Sequence, residues 1–221
     1  MPDQYDVALG RGYAADRAVS TTQLLGQVLF LVAVAIAFAA AGTFLGRELA
    51  FGTARIISFA GFGMLLVSSF GGQRFRVGSF AMGWLFATAL AIGVGLGPVI
   101  AYFAEVQSSA LTQAALGTAA TVAGAGALGY MLSKDLARWM RPLSVVVFAI
   151  CIGTVMWTLF NGTISPVVSG VIYLLSAGLI VVNFNYLRKH GSENDTVWLA
   201  TGIFVSIVNI FISLLNIFSN R

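Results

Sequence analysis

The sequence predicts an all-α, polytopic membrane helix bundle of seven transmembrane helices, with a cytoplasmic N-terminus and an external C-terminus. Three observations carry this prediction. Hydrophobic residues make up 58% of the 221-residue chain and charged residues only 9%. The charges sit in the gaps between apolar runs. Each run is long enough to cross about 30 Å of hydrocarbon, which takes roughly 20 residues of helix. In lipid the backbone must satisfy its own hydrogen bonds, so each run is expected to be an α-helix.

The polar stretch 1–23 comes first and reads as a cytoplasmic tail, leaving 24–221 as one seven-helix transmembrane domain. The tail mixes Asp6 and Asp16 with Arg11 and Arg17 and has few large apolar residues. Such a segment is expected to order only against a partner or lipid headgroups. The first span, 24–45, is long and shows no cleavage site, so it is expected to stay in place as a signal anchor. The second span is 53–71. The third, 78–102, repeats Gly83, Ala87, Ala91 and Gly95 every four residues and then reaches Gly97 and Pro98. Proline lacks an N–H and clashes with the preceding turn, which predicts a kink or an early helix end there.

The fourth span, 109–132, offers Gln113, Gly117, Thr121 and Gly124 on one face, with Gly126 and Gly129 beyond. Helix association in lipid relies on close packing of small residues. The third and fourth spans are therefore expected at the bundle centre. The fifth span, 143–160, holds Cys151, the single cysteine. One cysteine excludes an internal disulfide and a Cys-based metal site, and Cys151 reads as a small apolar filler.

The last two spans carry polar stripes. In the sixth, 165–187, these are Ser169, Tyr173, Ser176 and Asn183. In the seventh, 197–218, Ser206, Asn209, Ser213 and Asn216 recur at spacings of three, four and three, which keeps them on one helix face. Unpaired amides facing lipid are costly, so both stripes are expected to turn inward and meet. Between the spans, Asn194 or Asp195 is placed to cap the seventh helix.

Orientation follows from Lys and Arg. With the N-terminus inside, inner segments hold nine: Arg11, Arg17, Arg74, Arg76, Lys134, Arg138, Arg141, Arg188 and Lys189. Outer segments hold the other three of the twelve: Arg47, Arg55 and Arg221. Cytoplasmic loops carry the excess of basic residues, which sets this topology. The same scatter argues against nucleic acid as the partner of a chain with net charge +4.

Every acidic residue lies at or beyond a span end, and the one histidine, His190, lies in a loop. An enzyme needs a nucleophile with its base, or a metal with its ligands. The predicted spans offer no Asp, Glu, His or Lys for either, so no catalytic residue, metal site or cofactor is expected. A retinal Schiff base is excluded on the same ground, since the seventh span has no lysine.

Several pieces resemble the Bax inhibitor family of seven-span membrane proteins. They are RFRVGS at 74–79 with the glycine-rich third span, SKDL at 133–136, LIVVNFNYLRKH at 179–190 and IFVSIVNIFISLLNIF at 203–218. The resemblance implies six helices around a central one, here the seventh span. Some members are described as pH-sensitive calcium leaks, gated by two aspartates that share a proton. Carried over, those positions fall on Asn183 and Ser206. A nearby family arginine falls near Gly72 or Gln73, with Arg74 as the closest substitute. Neither Asn nor Ser ionises near neutrality, and neither gives Ca²⁺ the anionic oxygen its sites usually use.

Two readings follow. In the first, the chain is an accessory or regulatory subunit of a larger membrane assembly, acting through a membrane protein partner in the bilayer. Some bacterial relatives associate with a membrane-bound protease system, and the resemblance implies the bacterial cytoplasmic (inner) membrane. Phe211, Leu214, Phe218 and Trp157 are then candidates to face lipid or that partner. In the second, the Ser and Asn stripes line a constitutive cation leak, helped by carbonyls near Gly97 and Pro98.

Overall fold

A computed structural model describes residues 20–161 and 165–219 of the chain, apart from the side chains at 148, 152 and 154–161. The described residues form seven long helices and no strand: α1 (Thr21–Gly46), α2 (Phe51–Phe70), α3 (Gly78–Val106), α4 (Ser108–Met131), α5 (Ala137–Asn161), α6 (Pro166–His190) and α7 (Thr196–Ser219). Among these residues, six helices are long and apolar enough to cross a membrane: α1 to α4, α6 and α7. The chain is an integral membrane helix bundle. The N-terminal tail up to residue 19, the loop at 162–164 and the side chain of Trp157 lie outside the described residues.

Local chemistry sets the helix ends. Ser20 caps α1 by accepting from the Gln23 N–H at 3.2 Å, so α1 starts a little before the expected boundary. Between α2 and α3 the chain turns through Gly72 and Gly78, whose φ angles of +69° and +88° suit glycine. Ser165 caps α6 and Pro166 takes its first turn, where a missing N–H costs nothing. Arg188, Lys189 and His190 occupy its last turn, against the negative end of the helix dipole. The expected cap of α7 differs in detail. The Asp195 carboxylate accepts from the Ser192 N–H at 3.1 Å and from its hydroxyl at 2.6 Å, tightening the turn before the helix.

The centre of the bundle is α7, not the third and fourth spans. It packs on α6, α4, α1 and α3, and Leu199, Ile203, Phe204 and Ile210 are wholly buried. Leu214, proposed above as an outward residue, is in the core, and Phe211 and Phe218 pack against that core. The reason is that α7 pairs buried apolar faces with one polar face, Ser206, Asn209, Ser213 and Asn216. Amides and hydroxyls are costly against lipid, which favours a place inside the bundle for the helix that carries them.

The tightest contact joins α1 to α3. Gly42 and Gly46 on α1 face Gly93 and Gly97 on α3, and a Cβ on any of the four would run into the partner backbone. This is the small-xxx-small crossing used in membranes. The expected small face of α3 is only partly used. Gly83 and Ala87 are exposed, while Gly95 meets Ser58 and Ala54 of α2. Pro98 neither ends nor shortens α3, which continues to Val106. Its ring removes the donor that would reach the Val94 carbonyl, and Gly46 packs directly on that carbonyl. On α4, Gln113 and Gly124 are exposed and Ala114, Thr118, Gly126 and Gly129 face the bundle.

Candidate functional site

The two peripheral helices leave an opening. α2 packs along α3, and α5 packs along α6. Between α2 and α5 one side of α7 faces two chambers set end to end, of about 370 and 360 Å³. Both chambers are bordered by Phe62 and Leu65 of α2, Cys151 of α5, and Val205 and Asn209 of α7. That ring of five is the waist of a cleft running along the central helix.

The polar stripes line this cleft in register. Ser169, Asn209, Ser213 and Asn216 border the first chamber, with Arg55 and Ser58 across from them. Asn183, Ser206 and Asn209 border the second, with Ser144 and Arg76. The stripes do meet at one point, where the Ser169 hydroxyl donates to the Asn216 carbonyl oxygen at 3.0 Å. Tyr173 departs from the expectation. It reaches α4, its hydroxyl 3.0 Å from the Thr121 hydroxyl. Ser176 is fully buried and its hydroxyl has no partner among the described residues. Gly97 and Pro98 border neither chamber. They pack toward α1, so their carbonyls do not contribute to this path.

Asn183 and Ser206 face the same chamber and are 5% and 1% exposed. They do not hydrogen-bond each other among the described residues. The Asn183 amide donates to the Leu179 carbonyl at 2.8 Å, and the Ser206 hydroxyl donates to the Gly202 carbonyl at 2.8 Å. Each is satisfied by the turn below it on its own helix. Asn183 lies over Gly202, where a Cβ would meet its carbonyl oxygen at 3.2 Å. Gly202 thus allows α6 and α7 to approach at this level.

Asn209 at the waist behaves differently. The Cys151 thiol hydrogen-bonds its side chain, while its amide nitrogen is buried with no partner among the described residues. Cys151 is therefore a polar contact of the waist as well as a filler. An unpaired buried donor costs free energy, so this is where a water or a ligand atom gains most. Arg76 was not singled out by the sequence reading. It borders the second chamber, named the inner one hereafter for the basic end of the bundle on which it lies, and sits over the Trp198 ring at 5.5 Å, whereas Arg74 stacks on Phe80 at 5.1 Å and borders neither chamber.

Below the inner chamber, the SKDL turn is fastened to the end of α6. Asn185 is fully buried. Its carbonyl oxygen accepts from the Leu136 N–H at 2.9 Å. Its amide donates toward the carbonyls of Gly129, Leu132 and Lys134 at 3.1–3.2 Å. Arg188 donates to the Leu132 carbonyl at 2.6 Å, and Lys189 donates to that of Ser133. His190 meets the Asp135 carboxylate at 2.7 Å. The Ala137 N–H, and next the His190 side chain, hold the Asp135 carboxyl below its ordinary value of 3.8.

A bundle of seven helices with the last one at its centre is the arrangement that the resemblance implied. The family model described as Inhibitor of apoptosis-promoting Bax1 (Bax1-I) matches residues 21–221. The chain belongs to the Bax inhibitor family. A search of curated proteins found no match to it. In this Bax inhibitor family member, the described residues include no group of three or more His, Cys, Asp or Glu placed to hold a metal. Among the described residues no acidic residue borders either chamber, and the charged groups that do are Arg55 and Arg76. The cleft can hydrogen-bond and it can attract anions.

Proposed function

We propose that this protein is a non-enzymatic accessory or regulatory subunit of a larger membrane assembly. It sits in a bacterial cytoplasmic membrane with its N-terminus inside and its C-terminus outside. The observation that carries this reading is the neutral, self-satisfied pair Asn183 and Ser206. A gate that opens by losing a proton needs a titratable group, and this pair has none. What stays is the frame, and a frame without chemistry acts through what it holds. The orientation is supported by the end of the bundle that gathers Arg74, Arg76, Lys134, Arg138, Arg141, Arg188 and Lys189.

The test is ion flux. The purified chain in proteoliposomes is expected to pass neither Ca²⁺ nor K⁺ between about pH 6 and pH 8. Asn183→Asp with Ser206→Asp is expected to create a pH-dependent leak. The chain extracted gently from its native membrane is expected to run well above the mass of one subunit. Calcium flux through the unaltered chain would reject this reading.

The second reading is a cation leak along the cleft. It is favoured by the two chambers meeting at Asn209, whose free amide suits a water. It is disfavoured by the arginines, one bordering each chamber, because a cation path is normally lined by carboxylates or carbonyls.

A further inference from the structure

We propose that the inner chamber is a binding site for one anionic phospholipid, drawn in from the leaflet on the Arg76 side. The lipid's phosphate rests on Arg76 and Arg141, and one acyl chain lies between α2 and α5. The argument starts from charge. Arg76 has no acidic partner within ion-pair distance among the described residues. Arg141 lies on α5 between Met140 and Ser144, which both border the chamber. Both therefore lie at one end of the cleft, Arg76 in its lining and Arg141 exposed next to the lining residue Met140. Two arginines without carboxylate partners fit a phosphate, which accepts their paired N–H groups.

The walls fit the rest of the molecule. Phe62, Leu65, Val147, Leu179 and Val205 form an apolar lining that continues from the arginine end to the waist. A chamber of about 360 Å³ holds an acyl chain. Among the described residues α2 and α5 share no extended packing and meet mainly through Phe62, so the cleft opens sideways between them and a chain can slide in from the bilayer without crossing the bundle. Moving an acyl chain from bilayer to cleft gains little, so selectivity rests on the headgroup. This proposal is independent of whether the protein is an accessory subunit or a leak.

Trp198 supplies the readout, since it borders the chamber beneath Arg76. The protein is reconstituted in vesicles that contain brominated phosphatidylglycerol or brominated phosphatidylcholine at equal mole fraction. The Trp198 component of the fluorescence is identified with Trp198→Phe. Preferential quenching by phosphatidylglycerol is expected, with the preference falling about fivefold for each arginine removed in Arg76→Gln and Arg141→Gln. Arg76→Lys keeps the charge and is expected to keep most of the preference. Arg47→Gln, exposed and bordering neither chamber, serves as the folded control and leaves it unchanged. Equal quenching by the two lipids would overturn the proposal and leave ordinary boundary lipid only. Quenching by neither, with Ser69→Cys forming a crosslinked dimer, would place a second copy in the cleft and overturn it too.

Discussion

The α1–α3 crossing and the α2–α5 gap use the same material, long apolar helices in lipid, and end in opposite states. In the crossing, Gly42 and Gly46 meet Gly93 and Gly97, and backbone touches backbone. Across the gap, Phe62 and Leu65 face Val147 and Cys151, and two chambers stay open. Glycine content alone does not explain this. α2 carries Gly52, Gly61 and Gly63, but Gly52 and Gly63 have open space where a side chain would be, and Gly61 is turned to α3. Two helices close when small residues four apart occur on both partners and face each other. Where only one partner supplies them, bulky side chains hold the pair apart, and the molecule keeps a cavity.

The largest effect is expected where the crossing is broken. Gly93→Leu pushes a side chain into the α1 backbone at Ala39, and overpacking of this kind costs about 3 kcal/mol or more. Thermal unfolding in detergent is expected to show loss of the folded form. Gly63→Ala has open space around it and is expected to change stability by no more than about 0.5 kcal/mol. Equal effects from these two would show that the crossing does not hold the bundle.

A second contrast lies between two asparagines. Asn185→Leu takes the side-chain partner from the Leu136 N–H and from the Gly129 and Lys134 carbonyls, while the Leu132 carbonyl keeps Arg188. The expected loss is about 2–3 kcal/mol in the same unfolding measurement. Asn209→Leu removes an amide that is already unpaired at its nitrogen, at the waist of the open cleft. Its cost is expected to stay below about 1 kcal/mol, or to reverse sign. If Asn209→Leu proved as damaging as Asn185→Leu, the waist would be a packed contact and not a gap.

The smallest effect belongs to Asp135, which is fully exposed. Its carboxyl is lowered in the folded chain, first by the Ala137 N–H and then by His190. A lowered carboxyl contributes stability above its ordinary value of 3.8 and loses it as the pH falls through the lowered value. The small gap in stability between the natural chain and Asp135→Asn is therefore expected to close as the medium is acidified below that point. A gap that held constant with pH would mean that the Asp135–His190 contact carries no charge dependence.

The helices were legible because hydropathy and length are properties of a run, and membranes impose both. The polar face of α7 was legible for a similar reason, since a spacing of three and four tracks 3.6 residues per turn. The glycine face of α3 misled because a strict spacing of four drifts around the helix, by about 40° at each step. Gly83 and Gly95 therefore point to different neighbours, one open and one against α2. Asn185 escaped notice because it sits two residues beyond Asn183, on nearly the opposite side of α6, where no stripe marks it. Its four contacts come from a turn some fifty residues earlier in the chain. Arg76 lies in a loop, where a single basic residue reads as topology. Only the fold brings it to the chamber.

The fastening of the SKDL turn has a mechanical meaning. Asn185, Arg188, Lys189 and His190 together clamp the turn that leads into α5. The base of α5 is thereby bolted to α6, which it also packs along, while toward α2 its contact among the described residues runs through Phe62. A rod fastened most firmly at its foot swings; it does not slide. Any widening of the cleft should grow with distance from that foot, so the Arg55 end should open further than the Arg76 end. Paired spin labels on α2 and α5, one pair at each level, would read that lever directly.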